Sequence, residues 1–342
     1  MRIAIIAPGS RGDVEPYLAL GKGLAAAGHV VRLVTHANFA GLAAAHGVEF
    51  WPIVGDVQEV AQGQEMSALL ERGNFVAILA RMAKEAERSA VEFAEGGLAA
   101  CQGMDAVLAG IGGLFVGYAL AEKLDLAFLQ AHYIPFTPTR AYPSFLLPGL
   151  PSWLGGTFNR ASYHLARQMM WQPFRAADRV VRQKVLGLPP SPLAGPFRSE
   201  RFRRHPVLYG FSPAVLPPPD DWDASIHVTG YWFLDPPADW APSPALLAFL
   251  QAGPPPVYIG FGSMSSRNPT ETAALIVGAL RQTGQRAVVL AGWGGVQMAD
   301  LPDSENVNLL AVSLATSDCC GNILASRRNN HDPSQADCRE QV

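Results

Sequence analysis

Short continuous apolar runs alternate with longer amphipathic stretches along the first part of this chain. Arg2-Ile3-Ala4-Ile5-Ile6-Ala7 is unbroken in apolar character after its first residue and stops at Pro8-Gly9. A parallel strand covered on both faces reads this way. Val14 to Ala27 then carries Leu18, Leu20, Leu24 and Ala25 at helical spacing, and Gly28 stands where a helix stops. Val30 to Thr35 reads as a second strand, Phe39 to His46 as a second helix closed by Gly47, and Val48 to Val54 as a third strand. This order predicts an α/β fold with a doubly wound parallel sheet and right-handed crossovers.

The alternation continues. Ala68 to Ala100 reads as helix with a break near Gly73-Asn74, Asp105 to Ala109 as strand, Phe115 to Lys123 as helix and Leu126 to Ala131 as strand. His132 to Pro151 is loop, punctuated by Pro135, Pro138, Pro143 and Pro148, and Phe158 to Leu186 is again helical. Prolines then concentrate between Pro213 and Pro256, as in a semi-rigid linker. Beyond them a strand (Val257 to Phe261), a helix (Glu271 to Gln282) and a strand (Arg286 to Ala291) restart the pattern. The expected organisation is a first Rossmann-like domain over 1–215, a linker over 216–256, a partial second domain over 257–312 and a tail of low order over 313–342. The tail has no aromatic residue and no sustained period.

Composition narrows the class. At 342 residues the chain holds one large domain or two ordinary ones. Hydrophobic residues make up 49% and charged residues 16%, which supplies a core and excludes general disorder. Twenty-six basic residues against 29 acidic ones lack the basic excess of a nucleic-acid binder. The apolar run after Met1-Arg2 breaks at Pro8, so it reads as a strand rather than a secretory signal. The longest apolar run, Ala106 to Ala121, falls short of the ~20 residues of a membrane span and is interrupted by glycines. Four cysteines do not make a disulfide framework, and the expected compartment is the cytoplasm.

Candidate chemistry sits in the first loop, Pro8-Gly9-Ser10-Arg11-Gly12-Asp13-Val14. Ligands of open parallel sheets bind off the carboxyl ends of the strands. The two glycines allow close backbone approach, the following helix offers free N–H groups to an anion, and Arg11 can pair with a phosphate. Asp13 is the carboxylate of the turn, so it is either a general base or a cap for the helix. A nicotinamide enzyme would show Gly-x-Gly-x-x-Gly here and an acidic residue ending the second strand. Gly9 and Gly12 are two residues apart and that strand ends in Thr35-His36, so hydride transfer is disfavoured. Met169-Met170-Trp171, with Arg160, Arg167, Arg175, Arg179 and Arg182, reads as a basic amphipathic surface for weak membrane contact or as a core face backed by a solvated one. Cys319, Cys320, His331 and Cys338 are a poor zinc set, because adjacent cysteines chelate badly.

Pro8 to Gly21, with its Gly-Ser-Arg-Gly-Asp-Val core, resembles the opening motif of the sterol-glucosyltransferase-like glycosyltransferases, which overlap the glycopeptide- and macrolide-modifying group. Pro135 to Pro143, Leu208 to Pro213, Val228 to Phe233 and Pro256 to Met264 resemble further segments of that family in the same order, so the resemblance runs from Met1 to about Leu310. It implies the GT-B fold, in which two Rossmann-like domains divide acceptor and nucleotide sugar. It also implies inverting transfer of a hexose from a UDP-sugar to a hydroxyl of a lipophilic acceptor. In that reading Asp13 is the base. Ser10, Arg11, Gly12, Gly262 and Ser263 border the diphosphate. Trp293 lies near the uracil or fills a sheet–helix junction, and His132, Phe136 and Tyr142 face the acceptor. No metal or resident cofactor is implied, because backbone N–H groups and a helix terminus can compensate the leaving diphosphate.

The family's His-His-Gly-Gly-type donor segment has no counterpart after Leu310. A truncated or frame-shifted carboxy-terminal part, with impaired transfer, is the expectation. A non-enzymatic acceptor-binding or partner module is the alternative.

Overall fold

A computed structural model describes residues 1–55, 69, 75–147, 149–236, 240–262, 268–291 and 309–313. They form two compact units. The first takes in the described residues up to Leu234, apart from 69 and 75–78, and the second takes in those from Asp235 on.

In the first unit the order is β1 (Arg2–Ile6), α1 (Arg11–Ala26), β2 (Val30–His36), α2 (Ala40–Ala45) and β3 (Glu49–Ile53). Next come α3 (Phe75–Arg88), α4 (Ala90–Cys101), β4 (Ala106–Ala109), α5 (Leu114–Leu124) and β5 (Ala127–His132). After a loop follow α6 (Gly156–Val180), α7 (Glu200–Arg204), β6 (Val207–Tyr209) and β7 (Ile226–Val228). The seven strands form one sheet in the order β3-β2-β1-β4-β5-β6-β7, parallel throughout. Ala4, Ile5 and Ile6 of β1 and all of β4 are inaccessible to solvent, as continuous apolar strands covered on both faces should be. Ile6 is in register with Val34 of β2 on one side and Ala109 of β4 on the other. The chain therefore leaves β1 in one direction and later resumes on its other flank, which opens a crevice at the carboxyl ends of β1 and β4.

The helix expected over 158–186 is α6, continued by a π-helical turn over Val181–Leu186. Its apolar stripe is core. Trp171 is fully buried, donates its indole N–H to the Leu193 carbonyl at 2.9 Å and meets Phe115 edge-on at 4.9 Å. Arg167 lies over the rings of Phe136 and Phe197 at 5.0 and 5.2 Å. Arg182 makes a two-pronged pair with Glu122 at 2.9 and 3.1 Å. Trp171, Arg167 and Arg182 therefore do not belong to a membrane-facing surface, because burial and pairing turn them inward. Among the described residues no helix is long and apolar enough to cross a membrane.

Residues 216–256, expected as linker, carry two ordered elements. One is β7, the last strand of the first sheet, and the other is α8 (Pro244–Gln251), whose Ser243 side chain accepts from the Leu246 N–H. Three-residue strands and a helix opening on proline leave little periodicity to read. In the second unit, β8 (Val257–Gly260), α9 (Pro269–Thr283), β9 (Ala287–Ala291) and β10 (Leu309–Ser313) follow. The three strands are parallel in the order β10-β9-β8. Leu246 and Val288 pack with Phe249 and Tyr258 on one cluster, and Leu280, Ala287 and Val289 with Ile259 on another. β10 is a strand that the sequence pattern did not announce, and it reaches Ser313, where the tail was expected to begin. Residues 314–342, with Cys319, Cys320, His331 and Cys338, lie outside the described residues.

Candidate active site

The crevice at the end of β1 is built around Asp13. β1 ends, Gly9 turns the chain at φ +148°, and Ser10 caps α1 in extended conformation. Asp13 is the third residue of the helix. Its Oδ2 accepts from the Ser10 backbone N–H at 2.8 Å and from the Ser10 hydroxyl at 3.0 Å. Its Oδ1 accepts from the Tyr133 hydroxyl at 2.6 Å. The capping reading of Asp13 is realised. It caps its own helix, and three donors hold its carboxylate in one orientation with acceptor capacity left over. Gly9 is needed here, since a Cβ would lie 2.5 Å from the Asp13 side chain.

Three glycines after β4 complete the wall. A Cβ on Gly112 would lie 2.7 Å from the Pro8 carbonyl, one on Gly113 2.7 Å from the Ile6 carbonyl, and one on Gly110 would overlap the Tyr17 hydroxyl. Tyr17 spans the crevice floor and donates to the Ala131 carbonyl at 2.7 Å. The resulting cleft is lined by Ile6, Ala7, Pro8, Asp13, Tyr17, Gly110, Gly112, Gly113 and Tyr133, and has room for about one water-sized group. That is far below the ~300 Å³ at which ligand pockets begin, so the cleft admits one small polar group rather than a whole ligand. Burial pushes the Tyr17 and Tyr133 phenols well above their ordinary range, helped by Tyr133 and the Asp13 charge at Tyr17 and by the charge and hydrogen bond of Asp13 at Tyr133. Both stay protonated, so Tyr133 is a donor to Asp13 and Asp13 is the acceptor.

The other expected site residues divide. Arg11 pairs with Glu15 at 2.9 Å, and Gly12 is exposed in the first turn of α1. The N–H and hydroxyl of Ser10, expected beside a diphosphate, are engaged by Asp13. Gly262 turns at φ +60° after β8, while Ser263 and Trp293 lie outside the described residues. His132 is 1% exposed at the end of β5, with its ring 5.3 Å from Phe136 and 6.0 Å from Tyr209. Burial, aided by the Arg167 charge, lowers its pKa to about 3, so the imidazole is neutral. Phe136 is 2% exposed in the main core. His132 and Phe136, at the start of the proline-rich segment that follows β5, are thus core side chains. Tyr142 is half-buried and packs on Phe145 at 5.7 Å. The loop itself is tied down by Tyr209, whose hydroxyl accepts from the Phe136 and Thr137 N–H groups at 3.0 and 2.7 Å. Asp221 accepts from the Thr139 hydroxyl and the Arg140 N–H. Sequence reasoning missed Tyr133, although it follows β5 directly at the carboxyl edge of the sheet, where the strand-end rule points.

Residues 3–143 match the glycosyltransferase family 28 N-terminal domain. A sterol 3-beta-glucosyltransferase of Neurospora crassa is 36% identical over 300 residues, covering 86% of this chain and 18% of that protein. The sterol 3-beta-glucosyltransferase ATG26 of Gibberella zeae is 34% identical over 300 residues, covering 86% and 20%. The UDP-sugar-dependent glycosyltransferase 52 of Dictyostelium discoideum is 33% identical over 311 residues, covering 87% and 18%. The chain thus spans about a fifth of the length of these relatives. Among solved structures, glycosyltransferase VinC in complex with dTDP superposes with a TM-score of 0.53 at 15% identity, covering 91% of this chain and 71% of that one. The calicheamicin glycosyltransferase CalG4 gives 0.52 at 16%, covering 91% and 70%. At that identity the likeness concerns the fold, which is GT-B, as the sequence motifs implied. The family 28 domain includes β1 to β5, the Asp13 turn, the glycine wall and Tyr133.

Proposed function

We propose that this chain binds a lipophilic hydroxyl acceptor and takes part in inverting transfer of a hexose to it from a UDP-sugar, with Asp13 as the general base. The observation that carries this reading is the Asp13 carboxylate, oriented by Ser10 and Tyr133 in a cleft that admits only a small polar end. An acceptor hydroxyl entering the cleft gives its proton to Asp13 as its oxygen bonds to the anomeric carbon. The bond from that carbon to the diphosphate oxygen breaks, and UDP leaves. The relatives named as sterol glucosyltransferases and as UDP-sugar-dependent support the substrate classes. Arg11 and Gly12 in the first turn of α1, with Gly262 and Ser263 after β8, are the diphosphate-side groups in this reading, and Trp293 the base-side group. Ser10 acts through Asp13 instead. His132 and Phe136 position the acceptor loop, and Tyr142 lies on it. The UDP-sugar is a co-substrate, and the reading needs no resident cofactor.

The test is incubation of the full chain with radiolabelled UDP-glucose and ergosterol, beside Asp13→Asn. Labelled sterol glucoside from the wild type, lost by 10²–10⁴-fold in the variant with sterol binding kept, is the expected outcome. Equal rates would remove Asp13 from the mechanism. Sterol binding without transfer by the wild type would make the chain an acceptor-binding module.

A further inference from the structure

The segment after β7, Gly230-Tyr231-Trp232-Phe233, takes no part in the reading above. Tyr231 and Phe233 are exposed, and their rings lie 5.5 Å apart. The Trp232 ring lies over Gly210 instead, where a Cβ would come within 2.7 Å of the indole, so only glycine accepts it. Its Nε1–H donates to the Thr229 hydroxyl at 2.9 Å. The indole lies 5.9 Å from the Tyr17 ring, and Tyr17 in turn lies 6.2 Å from the Tyr133 ring. Trp232 and Tyr133 thus flank the same buried tyrosine that floors the Asp13 cleft. Trp232 remains half-buried.

We infer that Trp232 is a specificity-determining wall of the acceptor site, against which the apolar ring skeleton of a hydroxylated polycyclic acceptor stacks while its hydroxyl reaches Asp13. The inference rests on the proposed function and names a residue that selects among its lipophilic acceptors. The cleft is too small for a fused-ring molecule, so the skeleton must lie outside it. The indole of Trp232, its N–H engaged by Thr229, packs on Tyr17, which lines the cleft. A rigid aromatic fixed by a backbone contact and a hydrogen bond offers contact area with little ordering cost on binding. Tyr133 contributes the second ring and keeps its hydroxyl on Asp13.

Binding of dehydroergosterol, delivered from cyclodextrin and followed by fluorescence anisotropy, tests this on the full chain. Wild type, Trp232→Ala, Trp232→Phe and Phe233→Ser are compared. Trp232→Ala is expected to weaken binding at least tenfold. Trp232→Phe keeps a ring and stays within about threefold of the wild type. Phe233→Ser, at the exposed neighbouring ring, is expected to bind like the wild type. Wild-type affinity in Trp232→Ala overturns the inference and leaves the proposed function standing. So does an equal loss in Phe233→Ser, which marks non-specific adsorption. Absence of sterol binding by the wild type overturns the lipophilic-acceptor reading itself, and the inference with it.

Discussion

The two units each contain a parallel strand, a glycine at positive φ and a capped helix, and the same local device has different consequences in each. In the first, β1 runs through Gly9 and Ser10 into α1. In the second, β8 runs through Gly262 toward Asn268, whose side chain caps α9 by accepting from the Glu271 N–H at 3.2 Å. β1 is flanked by two strands and its last four residues are buried. β8 pairs with β9 alone among the described residues, and Val257 and Phe261 at its ends are 44% and 40% exposed. A Cβ at Gly9 would strike Asp13, whereas one at Gly262 meets nothing within 4 Å among the described residues. Gly9 is thus demanded by contact as well as by conformation, and Gly262 by its conformation. Chemistry collects where a capping turn is also enclosed by a neighbouring loop.

The sharpest way to break this contrast is to exchange the capping side chains. Asp13→Asn should lower transfer by about 10³-fold, equivalent to ~4 kcal/mol of barrier. Asn268→Ala should cost only about 1 kcal/mol of stability, as an ordinary lost cap does. Comparable effects of the two changes on turnover would dissolve the distinction.

Acid should find the first unit before the second. His132 has a folded pKa near 3 against ~6.5 unfolded, so the unfolded chain binds the extra proton between those values. Stability is therefore complete above pH ~6.5 and falls as pH drops toward 3, by at most ~1.4 kcal/mol per pH unit from this group. His46, His164 and His205, also in the first unit, are shifted in the same direction, with burial the first cause in each. The described residues of the second unit hold no histidine. Urea unfolding at several pH values, followed by hydrogen exchange, should show first-unit amides losing protection earlier on acidification. His132→Gln should flatten that dependence, and an unchanged slope would count against a buried neutral imidazole.

The glycines give a smaller, matched pair. Gly9→Ala should destabilise by about 3 kcal/mol, through backbone strain and collision with Asp13. Gly262→Ala should cost about 1 kcal/mol, from conformation alone. Thermal unfolding would read both, and equal costs would show that the Asp13 contact is relieved by small shifts. A last expectation concerns Tyr133→Phe. Loss of one charge-assisted hydrogen bond should reduce kcat about tenfold and leave the acceptor KM unchanged. A change confined to KM would make Tyr133 a contact for acceptor binding only.

The periodicity of the chain was enough to place β1 to β5 and the helices between them, because strands covered on both faces are apolar throughout and helices advertise a 3.6-residue repeat. The Gly9-to-Asp13 turn was legible for the same reason, since a strand end, a glycine and a carboxylate stand in sequence. β6, β7 and β10 were not legible. β6 and β7 are three residues long, too short to show a period, and all three become distinct only through the neighbour each pairs with. The surroundings of Asp13 were equally hidden in one dimension. Capping follows from Ser10, three residues away, but the second oxygen is held by Tyr133, 120 residues along the chain. For Trp171 the sequence left surface or core open, and for His132 and Phe136 it suggested the acceptor; all three are buried, because a side chain at a strand end or on a helix faces whichever layer the sheet packs against it. The sequence by itself therefore determined the family resemblance, the doubly wound parallel sheet and the candidate base. Only the tertiary structure decided which tyrosine holds that base, which aromatic residues surround it and which are core, since those contacts join segments that no local pattern connects.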